Sequence, residues 1–302
     1  NLTTLTRLLT RHYTTLSSTG YMSPTCILYP PSSGWSDTRI SASALRLTGR
    51  NETVITLLKH IPYLAPKLQI WSDETCPISY LDKNHDVEVM ARELARGRKW
   101  GALCPFMPFD EETDVPGGMV CLTEGDGGSW WVVDTDAGVV YPYAWGEYWD
   151  YDVDESLLVT APWLRYKAVG IEAFFDRLQE GLLGLEVVAL PGFVRERKGG
   201  VKVEIEHEVC PAGYPEGKAV KSIFLEDGWP DLARFRREEC VAAVNRARAR
   251  VLDRRAIRWC EESIRDAEKT GDGMMKEWKV RELGERKVEY EREWEEVAVG
   301  GL

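Results

Sequence analysis

Residues Gly117–Tyr143, GGMVCLTEGDGGSWWVVDTDAGVVYPY, decide the fold. The stretch reads as three short strands, the last two joined by a tight acidic turn. Trp130–Asp134 and Val139–Tyr143 are apolar and rich in β-branched and aromatic side chains, the residue types that suit a pleated, half-buried surface. Thr135-Asp136-Ala137-Gly138 between them supplies an Asp for turn initiation and a Gly for a positive φ, which predicts a short hairpin loop. No catalytic signature lies within the stretch.

Working outward, Leu2, Leu5, Leu8, Leu9, His12, Tyr13 and Leu16 recur at helical spacing, so an amphipathic first helix is expected to end near Gly20. His12 falls on its apolar stripe, where a structural histidine is expected. Residues 21–50 are rich in Pro, Ser, Thr and Gly and read as a long loop with room for one short helix. Glu52–His60 predicts a short buried helix stopped at Pro62, Val87–Ala95 another, and 70–86 a strand followed by a loop. Sheet-like sequence runs from Trp100 to Val159, and Ile171–Leu182 predicts a helix with Ile171, Phe174, Phe175, Leu178 and Leu182 inward. Val201–Val209 alternates with period two and predicts one half-buried strand, with His207 at its apolar side.

The last section differs in kind. Pro230 and Asp231 are suited to open a helix reaching about Lys269, Gly271-Asp272-Gly273 breaks it, and a second helix is expected from Met274 to Val297. Arginines 246, 248, 250, 254, 255 and 258 cluster in the first helix, and glutamates 285, 289, 291, 293, 295 and 296 in the second. Folding back at residue 272 places position 250 opposite 294 and 254 opposite 290, so the clusters should neutralise each other rather than bind RNA. Leu232, Phe235, Val244, Val251, Trp259, Trp278 and Trp294 are the expected apolar seam. The expected fold class is therefore α+β. A mostly antiparallel central sheet with flanking helices fills residues 1–210, a connector spans 211–228, and a charged helical hairpin occupies 229–302.

The chain has 302 residues, 44% of them hydrophobic and 29% charged, a composition typical of a folded globular protein. No apolar run approaches the ~20 residues of a spanning helix, so no membrane segment is expected. The net charge is −11, and all of the excess lies in residues 1–230, with 21 basic against 32 acidic side chains. An acidic body repels phosphate, which argues against nucleic acid and favours another protein, basic in character, as partner. The oligomeric state is not legible.

Seven cysteines (26, 76, 104, 121, 210, 240, 260) form no CxxC pair, which excludes a zinc knuckle and fits reduced thiols in a cytoplasmic protein. Asn1-Leu2-Thr3 and Asn51-Glu52-Thr53 match the glycosylation acceptor pattern, so secretion is the competing location. No signal peptide is seen, while Asn1 in place of Met leaves a removed leader open.

The strongest candidate for a binding surface is the aromatic and acidic run after the hairpin. Trp145, Tyr148 and Trp149 would anchor a partner, and Glu147, Asp150, Asp152 and Asp154 would steer a basic one. The same run allows a carbohydrate site, with rings stacked on sugar and Glu147 plus Asp150 or Asp152 as acid and base. Many of the aromatics between Trp130 and Tyr166 could equally be core. The spacing of Asp150, Asp152 and Asp154 fails the calcium-loop pattern, because Glu155 stands at the sixth position and Ala161 at the twelfth. GxSxG, Walker A, HExxH and GxGxxG are all missing, so a non-enzymatic role without cofactor or metal is expected.

Residues 55–185 resemble the SUKH superfamily, which includes fungal cell-wall synthesis regulators and bacterial toxin-immunity proteins. The resemblance rests on Leu57-Leu58-Lys59-His60-Ile61-Pro62-Tyr63-Leu64, Pro105-Phe106-Met107-Pro108-Phe109, Gly127–Val140 with its aromatic strand, aspartate and glycine-valine hairpin, and Ala168–Phe175. Three features depart from a minimal member: the 21–50 loop, the 110–126 insertion and the C-terminal hairpin. Ala65-Pro66-Lys67 also replaces the usual aromatic-glycine entry. The resemblance implies an α+β fold and a non-enzymatic role in binding other proteins.

Overall fold

The computed structural model describes residues 2–65, 67–72, 74–82, 85–97, 109, 113–125, 128–144, 160–197 and 201–299. In chain order these form α1 (Leu2–Ser18), β1 (Ile27–Leu28), α2 (Ala42–Leu47), α3 (Glu52–His60), β2 (Tyr63–Leu64), β3 (Cys76–Pro77) and α4 (His85–Ala95). Then come β4 (Met119–Cys121), β5 (Thr123–Glu124), β6 (Ser129–Asp134), β7 (Val139–Ala144), β8 (Val169–Gly170), α5 (Ile171–Leu183) and β9 (Val187–Leu190). The last are β10 (Phe193–Arg197), β11 (Val201–Ile205), β12 (Glu208–Pro211), α6 (Pro215–Glu226), α7 (Arg237–Thr270) and α8 (Gly273–Val299). The fold is α+β, with antiparallel sheets and a C-terminal helical pair. It divides into two units, residues 1–191 with 207–211, and residues 192–206 with 212–302.

The first unit is organised by a four-stranded sheet of order β4-β6-β7-β8, antiparallel throughout. Asp134 pairs with Val139, so Thr135–Gly138 forms the loop. The Asp134 side chain accepts the N–H groups of Asp136 and Ala137, both at 2.9 Å, which fixes the turn. Gly138 then takes φ +73°, a conformation open to glycine at no steric cost. Trp131, Val132 and Val133 are all buried, so both faces of β6 are covered. Trp131 meets Phe174 edge-on at 5.3 Å and His12 at 5.7 Å, which sets α5 and α1 against the sheet. Arg7, Arg11 and Thr15 pair with Glu172, Asp176 and Gln179 in ascending order, so α1 and α5 run parallel.

Two local features explain how the loop at 48–51 is held. Asn51 caps α3 by accepting the N–H of Val54 at 3.0 Å. Arg50 is buried, and its guanidinium donates to the carbonyls of Val115 (3.1 Å), Pro116 (2.9 Å) and Met119. The loop is thereby tied to the start of β4 without a carboxylate.

The expected strand Val201–Val209 is two strands. Residues 201–205 pair with Phe193–Arg197, and Glu208–Pro211 pairs with Val187–Leu190 in the same running register. The interruption falls at Glu206–His207, facing the Pro191–Gly192 step, where proline has no amide hydrogen to give to a ladder. His207 packs edge-on against Tyr21 at 5.2 Å.

In the second unit the 211–228 stretch, read as a connector, carries α6. The helix expected to open at Pro230 begins at Arg237 instead. Asp231 is used in a turn: its carbonyl accepts from Arg234 and Phe235, and its side chain from Ala233 at 3.1 Å. Phe224, Trp229 and Phe235 pack together around that turn. Buried charges tie α7 down. Arg248 reaches Glu216 of α6 at 3.5 Å and lies over the Phe193 ring, Arg255 reaches the same carboxylate at 2.6 Å, and Arg195 of β10 pairs with Asp253 at 2.6 Å.

Candidate functional site

Trp145, Glu147, Tyr148, Trp149, Asp150, Asp152 and Asp154 lie outside the described residues. Of the aromatics that flank them, Trp131, Tyr141, Trp163 and Tyr166 are buried and Trp130 is half-buried against the core. Asp134 is spent on its turn. The described part of the aromatic-rich region is therefore core.

A different site is built at the tip of the α7–α8 hairpin. Gly271 ends α7 at φ +72° and donates to the Ala267 carbonyl, the left-handed cap for which glycine is suited. Asp272 then caps α8 by accepting the N–H of Met275 at 2.9 Å. The reversal sets the expected register: Arg254 donates to the Tyr290 hydroxyl at 2.8 Å, as the fold-back at 272 requires. Among the described side chains, the ion pairs between the helices join lysines of α8 to glutamates of α7. Lys276 and Lys287 of α8 reach Glu268 and Glu261 of α7, each at 2.8 Å. Arg248 and Arg255 are engaged by Glu216 instead. The side chains of Glu289 and Glu291–Glu296 are not among those described.

The seam also differs from the expected one. Val244 is buried, but Leu232, Trp259 and Trp278 are 61%, 52% and 53% exposed, and the Trp294 side chain lies outside the described set. Cys260 and Ala267, seven residues apart, are the buried positions of this half of α7. The two tryptophans sit at the margin of the pair, and small side chains, Cys260 and Ala267, take the buried positions beside them.

Between them lies Lys279, almost fully buried. Its ammonium is 3.4 Å from the Trp259 ring centroid, 4.0 Å from that of Trp278, and 2.8 Å from Glu282. A desolvated ammonium on an aromatic face gains about 2 kcal/mol, and the carboxylate supplies the countercharge. Glu282 is held below the usual carboxylate range by the Lys279 hydrogen bond, and Arg286 adds to this through a 2.7 Å contact. Burial raises the Cys260 thiol beside them.

Next to this cage opens a cleft of about 370 Å³, lined by Trp259, Met275, Trp278 and Lys279 together with Asp266 and Asp272. Met274, 83% exposed, stands at the same end of α8. Helical spacing marked both tryptophans but assigned them to the interior. What the sequence did not signal is that a lysine would take that place. Comparison with family models, with curated proteins and with solved structures finds no match. Among the described residues no helix is long and apolar enough to cross a membrane.

Proposed function

We propose that this chain is a non-enzymatic protein-interaction module that docks its partner on the tip of the α7–α8 hairpin. One observation carries the reading: Trp259 and Trp278 stand half exposed around a lysine paired within the chain to Glu282, beside an open cleft. Rigid, half-exposed tryptophans are the residues that most often dominate binding energy at interfaces. Covering roughly 100 Å² of each indole at ~25 cal/mol per Å² gives about 2.5 kcal/mol per ring before association costs. The SUKH-like pattern over residues 55–185 supports a binding role as well. The Trp145–Asp154 run remains in the proposal as a second surface, supported by its composition alone.

The test is affinity capture from native lysate with three full-length chains: wild type, Trp259→Ala with Trp278→Ala, and Trp149→Ala with Asp152→Ala. A partner retained by the first and third and lost by the second supports the tip. Loss only with the third moves the site to 145–154. Recovery of glycans, or a hydrolytic activity abolished by Glu147→Gln, would replace the module with a carbohydrate-active protein.

A further inference from the structure

The cleft at the hairpin tip has a chemical character of its own. Its walls are indole and thioether from Trp259, Trp278 and Met275, and its polar lining includes the carboxylates of Asp266 and Asp272. Among the described residues lining it the cation is Lys279, which is buried against Glu282, and the carboxylates of Asp266 and Asp272 are the acidic groups of the lining. Asp266 shares an oxygen with Lys269 at 3.0 Å, but both side chains are more than 70% exposed, and such pairs hold weakly against competition. Asp272 uses one oxygen to cap Met275, and among the described residues its other oxygen accepts no hydrogen bond. Lys279 shows what the indoles hold: it places an ammonium over both of them within the fold.

We propose that the cleft receives an arginine side chain from a basic segment of the partner, its guanidinium stacked on an indole and its N–H groups donated to Asp266 and Asp272. The inference rests on the tip being the docking surface. Arginine fits better than lysine for two reasons. Its planar, weakly hydrated head stacks on an aromatic face, and its fork of donors can serve two carboxylates at once, whereas an ammonium is a compact, strongly hydrated charge. The ammonium position between the rings is moreover filled by Lys279.

The probe is a short glycine-serine peptide bearing two arginines, titrated into the full-length chain and followed by tryptophan fluorescence and calorimetry. The control replaces each arginine by citrulline, which keeps the shape and removes the charge. Saturable binding is expected, weakened about tenfold or more by citrulline, by Asp266→Asn with Asp272→Asn, and by raising salt from about 50 to about 300 mM. Asparagine can still cap α8, so circular dichroism of the double variant should match wild type. Equal binding of the citrulline peptide, or indifference to the double variant, overturns the inference. So does failure of the arginine peptide to bind while lysate capture still depends on Trp259 and Trp278. That last result leaves the docking surface standing and removes only its arginine. A concentration-dependent dimer abolished by Trp259→Ala and Trp278→Ala would assign the cleft to a second copy and also overturn it.

Discussion

Replacing His12 by glutamine should remove a pH dependence of stability that this one ring imposes. The imidazole is enclosed by Trp71, Trp131 and Phe175, and one ring nitrogen lies 2.8 Å from the Ile70 carbonyl, to which it donates. The other nitrogen is buried and has no hydrogen-bond partner among the described residues. Burial, helped by nearby Arg11 and opposed by the Ile70 hydrogen bond, lowers the pKa from 6.5 to about 4. The folded protein thus holds His12 neutral while the unfolded chain binds a proton. Its contribution is complete above the unfolded pKa of 6.5 and is lost as pH falls towards about 4. With ~1.4 kcal/mol for each tenfold in proton affinity, the full loss is about 3 kcal/mol, of which about 2 should be gone between pH ~7.5 and pH ~5. Urea unfolding of wild type and His12→Gln at those two pH values is the assay. The variant is expected to be less stable at the higher pH, because it loses ring contacts, and the gap should narrow by about 2 kcal/mol at the lower. Carboxylate titrations act on both chains alike and cancel. A gap that stays constant with pH would refute the reasoning.

Two further outcomes follow from buried charge. Glu216→Gln removes the buried carboxylate that Arg248 and Arg255 share, and a loss of about 3–5 kcal/mol is expected, read as a lower melting point with early loss of the second unit's helical signal. Arg50→Met strips the carbonyls of Val115, Pro116 and Met119 of their donor. At ~1.5–3 kcal/mol for a hydrogen bond to a charged group, the cost should reach at least about 3 kcal/mol, with hydrogen exchange accelerating first in β4.

How much the sequence discloses depends on the range of the interaction concerned. The 129–144 hairpin was legible because its β-branched and aromatic runs and its turn chemistry are local, and α3 because its apolar residues stop at Pro62. The hairpin register was legible because a glycine marks the reversal and the helix repeat does the rest. The split of Val201–Val209 was hidden, since its own alternation is unbroken and the interruption faces Pro191 on the neighbouring strand. Arg50 was missed because its partners are carbonyls, which leave no trace in side-chain identity. Glu216 was missed for a different reason, the distance along the chain: it meets Arg248 across 32 residues. The tip was half legible: spacing found Trp259 and Trp278, but that a lysine rather than an indole would be the buried group between them depends on contacts across the two helices.

The most direct measurement of the docking claim is photo-crosslinking from Met274, which is 83% exposed at the tip, with Tyr29 of the first unit, 54% exposed, as the control position. A photoreactive residue at 274 in the full-length chain should give a saturable adduct with one protein in native lysate. Excess wild-type chain should suppress that adduct, and the Trp259→Ala, Trp278→Ala chain should not. No adduct at 274, an equal yield at 29, or equal suppression by the double variant would contradict the account.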